Sequence, residues 1–280
     1  MRSHFEHCAA LVRDVDRDRY LAALFASAER RDGLFALYAF SLEIARIRDL
    51  AREPVPGEIR LQWWREVLLG ERVGEAAAHP VASALMETIS RHNLAREPLV
   101  ALIEAHRFDI YDDPMANLAE LQAYAAATLG TVYECASRIL AGSGMVLVNI
   151  VSEAGEAETI ADIIEHLPRH AAHHQLYVPL EVLSHYGANP ADVYAMQATP
   201  ELRAALAELR LRARRHLSRI ADAEIPEITR PAFLPLAPLR QWLLAMEGED
   251  YDPFHPPEVP QWRRQWRIWR AAKSLRRIGD

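Results

Sequence analysis

Asp162, His166 and His170 stand at i, i+4 and i+8, the interval that sets a carboxylate and two imidazoles along one helical face. Imidazoles and a carboxylate so spaced suit zinc or iron, whereas magnesium prefers hard oxygen donors. His173 and His174 follow just beyond, and Pro168 inside the run is expected to kink the helix and skew the spacing. The plainer reading of these residues is a polar lining without metal. Arg46 and Arg48 offer guanidinium forks for a phosphate or carboxylate. Against that stand nearby acids, and an ion pair with Glu43, Asp49 or Glu53 is the simpler expectation. Arg107, Asp109, Asp112 and Asp113 gather before Pro114 and read as a helix end and a solvated turn. Cys8 and Cys135 lack metal-ligand spacing and read as reduced thiols.

Near the C-terminus, Trp262, Trp266 and Trp269 recur at i, i+4 and i+7 and form one apolar stripe. Arg263, Arg264, Arg267, Arg270, Lys273, Arg276 and Arg277 make the rest of that segment basic. Such a helix either lies in an anionic membrane interface or docks its tryptophans on the protein with the arginines in water.

The elements that must position these groups are helical throughout. The chain has 280 residues, half of them apolar, with only 11 glycines. High helix propensity and a large core follow. A net charge of −7 argues against nucleic-acid binding. No run of about 18 apolar residues is present, and residues 1–10 lack the apolar core of a secretory signal, so the expected location is cytoplasmic or peripheral on the inner face of a membrane. Tyr20, Leu21, Leu24 and Phe25 share one stripe, and Leu34, Leu37, Tyr38 and Ile44 another. Residues 54–57 are expected to break the chain before a helix near Glu58 that carries Trp63 and Trp64, which read as packing residues. Further helices are expected over 81–92, 98–110, 118–140, 159–172, 200–220, 239–246 and 261–277, with residues 231–238 an extended connector. No composition shift divides the chain, so residues 1–280 read as a single all-α domain ending in the basic Trp-containing helix 260–280.

Several segments in order resemble the squalene/phytoene synthase family over nearly the whole chain. They are Leu37-Tyr38-Ala39-Phe40, Gln62-Trp63-Trp64-Arg65, His79-Pro80-Val81, residues 124–132 (YAAATLGTV) and Leu176-Tyr177-Val178-Pro179. The resemblance implies a helical bundle of the isoprenoid synthase type around a deep central pocket. It also implies two facing aspartate motifs that hold magnesium on a prenyl diphosphate. This sequence departs from both. The first motif's leading aspartates fall on Ala45 and Arg46, leaving Asp49; its phosphate-contacting arginine falls on Leu42. The second motif's aspartates fall on His166 and His170, its preceding arginine on Glu165 and an earlier asparagine on Asp162. The tail segments Pro231-Ala232-Phe233-Leu234-Pro235 and Tyr251-Asp252-Pro253-Phe254-His255-Pro256 resemble a degenerate subfamily that assembles respiratory complex I.

Ionising a diphosphate requires neutralisation that grows as the bond breaks, and magnesium supplies it in such enzymes. With two carboxylates, Asp49 and Asp162, where a synthase uses four or more, head-to-head prenyl condensation is expected to be absent. No cofactor is then expected. The implied role is an assembly or interaction factor for a membrane respiratory complex, with a lipid or isoprenoid as candidate pocket ligand. The alternative is an active prenyltransferase with altered use of Mg2+.

Overall fold

A computed structural model describes residues 2–51, 53–142, 147–248, 251–274 and 278. Two helices start the chain, α1 (Arg2–Val15) and α2 (Arg17–Ala23), the second capped by Asp16, whose carboxylate accepts from the Arg19 amide at 2.9 Å. Next come α3 (Ala28–Ala45), the single-turn α4 (Ile47–Leu50), α5 (Pro54–Leu69), α6 (Val73–Ala78), α7 (Pro80–His92) and α8 (Glu97–Ala105). The middle of the chain folds as α9 (Leu118–Ala125), α10 (Thr131–Ala141), α11 (Val148–Glu165) and α12 (Leu167–Ala172). The remainder forms α13 (Leu180–His185), α14 (Pro190–Tyr194), α15 (Pro200–Asp222), α16 (Arg230–Phe233), α17 (Leu239–Leu244) and α18 (Gln261–Lys273). No strand occurs among the described residues.

Proline explains much of this segmentation. It sits in the first turn of α5, α7, α8, α12, α14 and α15, where its missing N–H would lack a helical partner anyway. That corrects the expectation at residues 54–57: both prolines start α5 instead of breaking the chain before it. At His166 the kink expected of Pro168 becomes a full break between α11 and α12, because Pro168 has no N–H for the carbonyl of Ile164. Residues 231–238 are not extended either. They wind into α16 and a following 3₁₀ turn, with Phe233, Leu234 and Leu236 buried. The stripe expected in α2 fails at its end, since Leu24 and Phe25 lie beyond the helix and are exposed.

Between α9 and α10 the expected long helix carries a π turn, Ala126–Gly130. The neighbouring helix α11 crosses it closely. A Cβ on Gly155 would sit 2.7 Å from the Gly130 nitrogen, so glycine is required at that crossing. On its other flank α11 packs against α15, while α3 packs against α1, α7 and α10. The core runs through all of these, with Tyr38, Phe40 and Phe233 among its largest fully buried side chains. Trp64 meets Phe40 edge-on at 5.3 Å, in keeping with a packing role. Cys8 and Cys135 are buried and unpaired, and burial pushes both thiols up to about 12.

Candidate functional site

Helix α3 ends at Ala45, and the turn after it places Asp49 on α4. Opposite, the break at His166 releases α12 to carry Arg169 toward α4. The two side chains meet in an ion pair at 3.1 Å, Arg169 Nη1 donating to Asp49 Oδ2. The surviving aspartate of the first segment is thus bonded to an arginine inside the second. Arg48 binds Asp112 at 2.8 Å, a partner outside the acids expected from the sequence. Ala45 and Arg46 are exposed, and Leu42 packs half-buried on the core. Tyr38 is fully buried, its hydroxyl lacks a hydrogen-bond partner, and burial pushes its pKa up.

Asp162 lies in the last turn of α11, and its side chain is 55% accessible. His166 Nδ1 contacts its carboxylate at 2.9 Å. That hydrogen bond raises the His166 pKa against the effect of burial. Burial opposes the charge on Asp162, but the His166 contact outweighs it and holds the carboxyl below its usual range. His170 differs. It is buried, its ring lies tilted against Tyr177 with centroids 4.5 Å apart, and burial drives its pKa down to about 4. It is therefore a neutral ring at physiological pH.

The expected metal triad does not assemble. Among the described residues no group of three or more histidines, cysteines, aspartates or glutamates could hold a metal. Backbone bonds of 2.9 Å still link Asp162 to His166 and His166 to His170, but His166 is engaged by Asp162 and His170 is turned onto Tyr177. The donor set suits magnesium no better. Of the positions that would carry its oxygens, Ala45 offers none, Arg46 is cationic, His166 and His170 are imidazoles, and Asp49 is neutralised by Arg169.

Two buried clusters lie deeper, and sequence reasoning passed over both. Asp109 is not in a solvated turn. It is buried, and its carboxylate accepts from His106 at 2.5 Å, Tyr177 at 2.7 Å and Tyr124 at 3.0 Å, while Gln175 donates to its backbone carbonyl at 2.7 Å. Burial raises both tyrosine pKa values well above 10, so these hydroxyls remain donors. On α11, Glu158 pairs with Arg19 at 2.8 Å and accepts from Tyr133 at 2.6 Å; the Arg19 guanidinium lies 5.6 Å from the centroid of Tyr38. Glu158, Asp162 and Glu165 recur at i, i+4 and i+7, an acidic stripe legible in the sequence itself.

On α18 the docked face carries Ile268 and Ala271, both buried, together with Arg264, which binds Asp18 at 2.6 Å. Trp262, Trp266 and Trp269 face outward, contrary to the reading in which they dock on the protein. Arg276 and Arg277 lie outside the described residues.

An all-helical frame whose α4 and α12 meet through the Asp49–Arg169 pair defines an isoprenoid synthase-type fold, and the chain belongs to the squalene/phytoene synthase family, whose family model matches residues 12–270. Its relatives divide in two. The human protein named NADH dehydrogenase (ubiquinone) complex I, assembly factor 6 is 27% identical over 252 residues, covering 89% of this chain and 76% of that protein. A chloroplastic phytoene synthase from Narcissus pseudonarcissus is 23% identical over 265 residues, covering 91% and 62%. Among solved structures, a dehydrosqualene synthase superposes with TM-score 0.84 at 19% identity over 97% of this chain and 96% of that one. A squalene synthase from Alicyclobacillus acidocaldarius superposes with TM-score 0.72 at 25% identity, covering 90% and 96%.

Proposed function

We propose that this chain is a non-condensing member of its family that acts as an assembly or interaction factor for a membrane respiratory complex, working from the membrane surface. The observation that carries the reading is the Asp49–Arg169 ion pair. A guanidinium joins the two segments where a condensing enzyme needs anionic oxygens facing each other around metal. The loss of that charge arrangement costs several powers of ten in a reaction that depends on it. Similarity to proteins named as complex I assembly factors from Homo sapiens and Bos taurus supports the second half of the reading. Among the described residues no helix is long and apolar enough to cross a membrane, in keeping with a peripheral position. The ligand that goes with this reading is a lipid or isoprenoid held without turnover.

Two experiments test this. Purified protein incubated with farnesyl or geranylgeranyl diphosphate and Mg2+ is expected to give no head-to-head product; any such product removes the reading in favour of a prenyltransferase, which the phytoene synthase relatives make the second candidate. Deletion of the gene is expected to deplete assembled complex I, with restoration by the wild-type copy. An intact complex in the deletion strain refutes the assembly role.

A further inference from the structure

We propose that the outward face of α18 is a binding surface for an anionic lipid bilayer. Trp262, Trp266 and Trp269 are 65%, 50% and 51% exposed, one indole per helical turn along a line of about 10 Å. Each ring carries a cation over it: Arg263 at 5.2 Å from Trp262, Arg270 at 4.6 Å from Trp266 and Lys273 at 3.9 Å from Trp269. Indoles beside cations match the boundary between headgroups and acyl chains, where the ring's apolar body and its N–H are both accommodated.

The direction of this face is set by the rest of the helix. Ile268 and Ala271 are buried against the body, and Arg264 is latched to Asp18, so α18 cannot roll its tryptophans inward without breaking those contacts. Gln261 also reaches Asp18, at 3.4 Å. Charge identifies the occupant. The helix has five basic residues and no acidic one, in a chain whose net charge is −7. Arg264 is engaged by Asp18, and the remaining four cations accompany the indole row. A cationic strip on a chain of net negative charge favours turning that strip toward anionic lipid.

Full-length protein is mixed with vesicles of phosphatidylcholine alone or with phosphatidylglycerol, and bound protein is measured by sedimentation. Tryptophan quenching by brominated acyl chains reports depth. Binding to the mixed vesicles only, with quenching, is expected. The triple variant Trp262→Ala, Trp266→Ala, Trp269→Ala should lose it while keeping the wild-type circular dichroism and melting temperature, because the rings are exposed. Arg263→Gln and Arg270→Gln should each lower partitioning about fivefold, and added salt should do the same. The proposal is overturned by equal binding of wild type and triple variant, or by no binding to either vesicle. Tryptophan-dependent self-association in place of vesicle binding also overturns it and assigns the face to a second copy. The readout is binding alone, so its outcome is independent of the assembly role.

Discussion

Lowering the pH should destabilise this protein through one ring, His170. An ordinary histidine titrates near 6.5, but burial against Tyr177 holds His170 down to about 4 in the folded state. Between those values the unfolded chain binds a proton that the folded chain refuses, so the contribution of His170 is complete above pH 6.5 and is lost as pH falls toward 4. Linkage with these two pKa values gives a loss of about 2 kcal/mol between pH 7 and 5, growing to about 3 kcal/mol by pH 4. For a domain of ordinary stability, about 5–15 kcal/mol, that is a sizeable share. The assay is urea unfolding of wild type and His170→Gln across pH 4–7, with the difference between the two plotted against pH. Glutamine cannot titrate, so the subtraction removes the other acids and histidines. The variant should be the less stable at pH 7, and the gap should close by about 2–3 kcal/mol on acidification. A gap independent of pH, or an NMR titration of the His170 ring near 6.5, would refute the reasoning.

Three further outcomes follow from the packing. Gly155→Ala should destabilise by about 1–3 kcal/mol in thermal unfolding, since its methyl would collide with the Gly130 backbone and neither helix can withdraw cheaply. Asp109→Leu strands two tyrosine hydroxyls and His106 in the interior and should cost about 3–5 kcal/mol by denaturant titration, an outcome no solvated turn would give. Asp49→Asn should change stability by no more than about 1 kcal/mol, because the Asp49–Arg169 pair is partly exposed and water screens it. A large loss there would mean that the pair holds α4 and α12 together structurally.

Much of this molecule could be read from its residue order. Helical content followed from apolar periodicity and scarce glycine, and the starts of α7, α8 and α15 from Pro80, Pro98 and Pro200, because those are local effects of backbone geometry. The missing carboxylates at Ala45, Arg46, His166 and His170 were visible for the same reason: absence of a side-chain oxygen needs no structure to establish it. Contacts between distant segments were another matter. Asp109 looked like a residue of a solvated turn, yet residues 124, 175 and 177 close over it. Arg169 lay inside the altered motif without any sign that Asp49 would meet it. The tryptophan stripe was equally compatible with burial or exposure, since periodicity states which residues share a face and not what that face meets. Only the docking of α18 through Ile268, Ala271 and Arg264 decided it, because burying one side of a helix turns the opposite side to the surroundings.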